Sequence, residues 1–135
     1  MTHAPMIISG KRKTAIAKST IKKGSGVITL NGKPIGCLSV LQRLEISEPL
    51  IIAHNILKEL KFDVALNVKG GGSACQIEAA RLALAKSIVQ FTQNEEVRLA
   101  FLRYDRNMLI ADTRRKEACK PGDSKARANR QTSFR

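Results

Sequence analysis

The sequence of 135 residues has no tryptophan, and aromatic residues make up only 4% of it. A chain of this length buries about two-thirds of its unfolded surface as one domain. A sizeable core is therefore available, but it has to be built from Ile, Leu, Val and Ala. No apolar run approaches the length of a transmembrane helix, so no membrane span is expected. Met1 to Gly10 has neither the charged start and apolar stretch of a secretion signal nor the Arg-rich pattern of a transit peptide, and the expected compartment is the cytoplasm. The three cysteines, Cys37, Cys75 and Cys119, are scattered, and there are only two histidines. This makes a four-ligand zinc site improbable and reads as free thiols in a reducing compartment; no metal or cofactor is expected.

Acidic residues are also scarce, 11 against 24 Lys and Arg, and they are unevenly placed. Before Glu45 there are eight basic residues and no acid; from Glu45 to Asp112 there are eight basic and nine acidic residues; from Thr113 onward the net charge is +6. Two basic ends thus flank a nearly neutral middle, which points to a polyanionic partner rather than to solubility alone. Catalytic groupings are missing as well. Glu45 and Glu48, like Glu95 and Glu96, sit where helix starts favour acids. Neither His54 nor Cys75 has a partner placed nearby in sequence. The expectation is that the chain is not an enzyme.

What is present divides into a patterned part and an unpatterned one. Met6 to Ile8 and Thr14 to Ile21 read as strands, with the basic run Gly10-Lys11-Arg12-Lys13 as a loop between them. Gly24 to Gly26 reads as a turn and Val27 to Leu30 as a short strand. Asn31-Gly32 has the composition of a type I′ hairpin turn, so the first third is expected to be an antiparallel meander. Leu38, Leu41 and Leu44 suggest a short helix ending before Ser47-Glu48-Pro49, with a second helix starting near Pro49 and running to about Leu60.

Phe62, Val64, Leu66 and Val68 alternate with Asp63, Ala65, Asn67 and Lys69, the cleanest period-two segment of the chain. Gly70-Gly71-Gly72 follows, and Ser73 with Gln76 has the spacing of a capping box. Ile77, Ala80, Leu84, Ile88 and Phe91 form the core stripe of what is expected to be the most buried helix. Asn94-Glu95-Glu96 opens another helix with a capping Asn and two acids at the positive end of its dipole. Met108 to Ala111 reads as a short buried strand. The order is that of an α+β domain, a small mixed sheet with helices packed on one face. Strand, glycines and helix start resemble a phosphate cradle, but no nucleotide-binding motif is present, and the plainer reading is that the glycines admit a turn or a close backbone approach.

From Arg114 the pattern ends. The segment holds Arg114, Arg115, Lys116, Lys120, Lys125, Arg127, Arg130 and Arg135 against Glu117 and Asp123, and its one large apolar residue is Phe134. Such a stretch lacks the apolar area that offsets about 1–2 kcal/mol per residue of backbone ordering. Five of its eight cations are Arg, the side chain suited to bidentate phosphate contact. The expected division is a globular domain over residues 1–112 and an extended basic tail over residues 113–135.

Several segments resemble, in order, the universal ninth protein of the small ribosomal subunit. They include Gly10 to Ala15, Ile28 to Pro34, Glu48-Pro49-Leu50, and Val68 to Gly72 with Gln76, Ala79 and Arg81. They continue with Asp105-Arg106, Asp112 to Glu117, Lys120-Pro121-Gly122, Lys125 to Ala128 and Gln131 to Arg135. Each motif alone is weak, and together they are specific. The Glu-Pro-Leu segment and the ending look like the archaeal or eukaryotic cytosolic branch.

The resemblance implies a βαβ unit with an unusual left-handed crossover. It also implies a place in the subunit head beside other head proteins, with the domain on ribosomal RNA and the tail end near transfer RNA in the peptidyl site. Carried onto this sequence, the ribosomal-RNA contacts would be Lys11, Arg12, Lys13, Lys22, Lys23, Lys69, Gly70, Gly71, Gly72, Gln76, Arg81, Arg114, Arg115, Lys116 and Lys120. The residues near transfer RNA would be Lys125, Arg127, Arg130, Ser133, Phe134 and Arg135. Family tails of this branch commonly end in Gln-Lys-Ser-Tyr-Arg. Here Thr132 removes a cation, Phe134 removes a phenol hydroxyl, and Asp123 adds an acid. The alternatives from other classes are an RNA-processing enzyme on a similar scaffold and an extra-ribosomal basic regulator.

Overall fold

The computed structural model describes residues 5–119. Its sheet has five strands: β1 (Met6–Arg12), β2 (Ala15–Lys23), β3 (Ile28–Leu30), β4 (Lys33–Pro34) and β5 (Phe62–Lys69). Their order across the sheet is β1-β2-β5-β3-β4. Three α-helices accompany it, α1 (Val40–Leu57), α2 (Ser73–Thr92) and α3 (Glu95–Tyr104), with short 3-10 turns at Ile35–Cys37 and Arg106–Met108. The fold is α+β, as expected.

The period-two segment takes the centre. Every second residue of β5, from Phe62 to Val68, is buried, and the strand pairs antiparallel with β2 and parallel with β3. The first third is therefore not a simple meander. β1 and β2 form a hairpin, but β5 is inserted between β2 and β3, so the turn at Gly24 to Gly26 leads away from its neighbour in sequence. Asp63 makes that possible. Its Oδ1 accepts from the backbone amides of Ser25, Gly26 and Val27 at 2.9, 3.1 and 2.9 Å. The carboxyl is held below the usual carboxylate range chiefly by the Val27 amide, against some desolvation. Asn31 and Gly32 both have positive φ, as the hairpin turn between β3 and β4 requires. The Asn31 side-chain Oδ1 also accepts from the Val68 amide at 2.7 Å, tying this turn to the central strand.

α2 lies across β1, β2 and β5, and α1 and α3 pack against it. Nine of its residues are buried, from Ile77 to Ile88, so it is the most buried helix. Ala79, Ala80, Ala83 and Ala85 are fully covered, and their small side chains let the sheet approach closely. Buried large side chains such as Phe62, Ile21, Leu66, Leu84, Ile88 and Phe101 each contribute about 1.5–3 kcal/mol. Phe62 also meets Phe91 edge-on, ring centroids 5.9 Å apart. The two buried polar side chains among the described residues form one chain of bonds: Ser19 donates to Ser87 at 3.0 Å, and Ser87 donates to the Leu84 carbonyl at 2.8 Å.

Four local expectations change. The two helices read on either side of Pro49 are one, and Pro49 is buried inside it. The carbonyl that loses its partner is that of Glu45, an exposed residue, where water can replace the missing amide. The basic run Gly10-Lys11-Arg12 is the end of β1 rather than a loop, and only Lys13 and Thr14 turn. Gly72, not Ser73, caps α2, and the Gln76 side chain donates through its Nε2 to the Gly70 carbonyl at 3.1 Å instead of closing a capping box. Met108 to Ala111 is no strand: Met108 is buried in a 3-10 turn, and Ile110 is exposed. The expected α3 cap is present, with the Asn94 side chain accepting from the Glu96 amide at 2.8 Å.

Candidate nucleic-acid interface

At one end of the sheet the β1–β2 hairpin and the glycine loop after β5 lie against each other. Gly70 and Gly71 have φ of +77° and +71°, and a Cβ on Gly70 would sit 2.7 Å from the Thr14 carbonyl oxygen. One on Gly71 would sit 2.9 Å from the Ala15 Cβ. Positive φ and close approach both demand glycine here, so the plainer reading of the loop holds for Gly70 and Gly71. The packing also brings Lys11, Lys13 and Lys69 to the same end, all exposed and none in an ion pair among the described residues. Lys22 and Lys23 stand at the other end of β2, opposite Asp63 and Phe62, roughly 20 Å from Ile16.

Arg12 and Arg81 are placed differently. Arg12 pairs with Glu78 of α2 and with Asp112, just before the irregular, exposed stretch Thr113 to Cys119. Asp112 also accepts from Arg114, at 2.7 and 2.9 Å from the guanidinium and 2.8 Å from the backbone amide. The Asp112 carboxyl is held far below the usual carboxylate range, first by the Arg114 side chain, then by its amide and by Arg12, with burial opposing. Arg81 of α2 joins Glu48 of α1 at 2.5 Å and Asp105 at the end of α3 at 3.2 Å. Its Nε is buried and has no partner among the described residues. Two of the expected RNA contacts thus hold β1, the three helices and the root of the basic segment together. Both side chains are less than one-fifth exposed. Gln76 is similarly engaged with the glycine loop.

Beyond Asp112, Thr113 to Cys119 is exposed and carries no helix or strand. Arg114 folds back on Asp112, while Arg115 donates to the carbonyls of Asp112 and Arg114, at 3.4 and 3.2 Å. Lys120, Lys125, Arg127, Arg130, Ser133, Phe134 and Arg135 lie outside the described residues.

Residues 10–135 match the family described as ribosomal protein S9/S16, a span that takes in the β1–β2 turn, the glycine loop and the whole basic segment. The chain belongs to the ribosomal protein S9/S16 family. It is 43% identical over 131 residues to the small ribosomal subunit protein uS9 of Thermoplasma acidophilum, covering 96% of this chain and 100% of that one. The identity to the protein of the same name from Methanococcus maripaludis is 45% over 129 residues, or 93% and 95% of the two chains. For Pyrobaculum aerophilum it is 42% over 135 residues, 99% and 94%. All three relatives are archaeal, in keeping with the branch suggested by the Glu-Pro-Leu segment. As a member of the S9/S16 family the chain is a structural, non-enzymatic protein of the cytoplasmic ribosome. Membership removes the RNA-processing enzyme as an alternative.

Lys18 is among the basic residues that the sequence reading did not single out. Lys18 is exposed in the middle of β2, between Ser9 of β1 and Asn67 of β5. Alternation of Ala15, Ala17, Ser19 and Ile21 inward could have revealed it, but small inward residues beside the outward Ile16 disguised the period.

Proposed function

We propose that the chain serves in the head of the small ribosomal subunit, its folded part resting on ribosomal RNA and its basic segment reaching transfer RNA in the peptidyl site. The observation that carries this is the family match over residues 10–135, which includes the basic segment as well as the fold. The proposed division lies at Asp112, where contact with Arg12 anchors the chain before it becomes irregular and exposed. Lys11, Lys13, Lys22, Lys23, Lys69 and the glycines Gly70 to Gly72 would meet ribosomal RNA, with Arg114, Arg115, Lys116 and Lys120 continuing the contact. Arg12, Gln76 and Arg81 would support these groups from behind through their internal partners. Lys125, Arg127, Arg130, Ser133, Phe134 and Arg135 would lie beside transfer RNA, and neighbouring head proteins complete the surroundings.

Charge supports this division. If about four tail cations each neutralise a phosphate, log affinity falls with log salt at a slope of about −3. Small subunits assembled with a chain lacking residues 120–135 should retain that chain but bind transfer RNA in the peptidyl site more weakly, with a shallower salt dependence. Unchanged transfer RNA binding would refute the role of the tail. Loss of the shortened chain from the subunit would refute the division of labour.

A further inference from the structure

We propose that the open face of the sheet, the side turned away from α2, is itself an RNA-binding surface, with Lys18 at its centre. The inference rests on the ribosomal-RNA reading above and sharpens it to one face and one set of groups.

The helices cover only one side. Outward residues of β1, β2 and β5 therefore face away from the core, and their pairing sets their neighbours. Lys11, Ile16 and Lys69 stand in one row across three strands, and Ser9, Lys18 and Asn67 in the next. At the usual strand spacing, Lys11 and Lys69 are roughly 10 Å apart with Ile16 between them, and Lys18 is about 7 Å further along β2. Three cations thus surround an isoleucine that is 43% exposed. None of the three has an ion-pair partner among the described residues. Among the described residues the acid on this face is Asp63, near Lys22, and its carboxylate is already taken by three backbone amides.

A hollow of about 480 Å³ lies among these groups, lined by Ile16, Lys18, Asn31, Asn67, Val68 and Lys69. The Asn31 side-chain Oδ1 is fixed by the Val68 amide, which leaves its side-chain Nδ2 as a donor. Asn67 offers both a donor and an acceptor. Cations at the rim, an aliphatic floor and amide groups at the wall suit a single-stranded stretch of RNA. Its phosphates would lie over Lys11, Lys18 and Lys69, and one unstacked base would enter the hollow, as in RNA recognition through splayed bases. A protein partner would have to bring several carboxylates to the same three cations. A polyanion does so by its nature.

The test uses the full chain and a transcript of the head region of small-subunit ribosomal RNA. Replacing Lys11, Lys18 and Lys69 by Gln should weaken binding at least tenfold at about 0.15 M salt and make the salt slope shallower by about 2. A control with the same change of charge on the helical side, Lys58→Gln, Lys86→Gln and Arg103→Gln, should stay within about threefold of the parent. Single Lys18→Gln guards against misfolding of the triple variant and should alone reduce the slope. Acetylation of the free and RNA-bound chain gives a second readout: Lys18 should be protected by the transcript and Lys86 should not.

A triple variant that binds like the control, or a Lys18 equally reactive with and without RNA, would overturn the proposal while leaving the ribosomal reading intact. Protection of Lys18 in whole subunits but not by the transcript would assign the face to a protein and overturn it too. A parent chain that fails to bind the transcript would sink both readings together.

Discussion

Gly10→Ala is a one-methyl change that should be costly. Gly10 lies in β1 opposite Ala17 and faces α2. A Cβ there would lie 2.5 Å from the Ala79 carbonyl oxygen and 2.7 Å from the Ala83 amide nitrogen. Both are backbone atoms of the most buried helix, so no change of rotamer relieves the clash. Strand and helix would have to part by roughly 1 Å to restore ordinary contact. Overpacking of this kind costs about 1–3 kcal/mol, and backbone contact on both sides favours the upper end. The gain from restricting the unfolded chain returns about 0.4–1 kcal/mol. The net loss is about 2 kcal/mol, or a fall in Tm of roughly 8 °C or more for a domain of this size. Urea unfolding followed by circular dichroism should show a lower midpoint with an unchanged slope. Gly36→Ala, where nothing lies within 4 Å of the added carbon, should stay within about 0.5 kcal/mol of the parent. A Gly10→Ala chain as stable as the parent would refute the close contact between β1 and α2.

Other variants probe separate parts. Ser87→Ala should destabilise more than Ser19→Ala, by about 1 kcal/mol, because it leaves the buried Ser19 hydroxyl without an acceptor whereas Ser19→Ala leaves the bond from Ser87 to Leu84 intact; equal losses in urea unfolding would reverse the assigned direction. Asn94→Ala should cost about 1 kcal/mol through loss of the α3 cap, measured the same way, and an unchanged midpoint would count against it. The pH dependence follows from Asp63 and Asp112, whose folded carboxyls are depressed. Their stabilisation is complete above the ordinary carboxylate pKa of about 3.9 and is lost as pH falls toward their folded values. Tm should therefore drop below about pH 4, and Asp63→Asn should lower Tm at neutral pH while flattening that drop; a parallel pH profile would refute the role given to Asp63.

Strong periodicity was legible in advance. The alternation of β5, the apolar face of α2 and the Asn94 cap each point to one structure through local chemistry, and all three are present. What failed were inferences that depend on partners far away in the chain. Nothing in Gly24 to Val27 reveals that its amides will meet Asp63, so β3 read as the neighbour of β2. Pro49 read as a boundary because its missing amide usually ends a helix, yet here its burial outweighs the cost. The four apolar residues from Met108 have the composition of a strand, but Met108 is a single anchor and Ile110 faces solvent. At the candidate site, charge identified the basic residues without saying which were occupied. Arg12 and Arg81 are drawn inward by Glu48, Glu78, Asp105 and Asp112, acids that lie 24 to 100 residues away in the chain. Lys18 was lost in a stretch whose small inward residues hide the alternation.

The central claim is that this chain works as part of the small ribosomal subunit, and sedimentation tests it most directly. In a sucrose gradient of lysate at low salt, tagged chain should migrate with small subunits and with assembled ribosomes, and high salt should release it. A chain that stays at the top of the gradient at low salt would contradict the account.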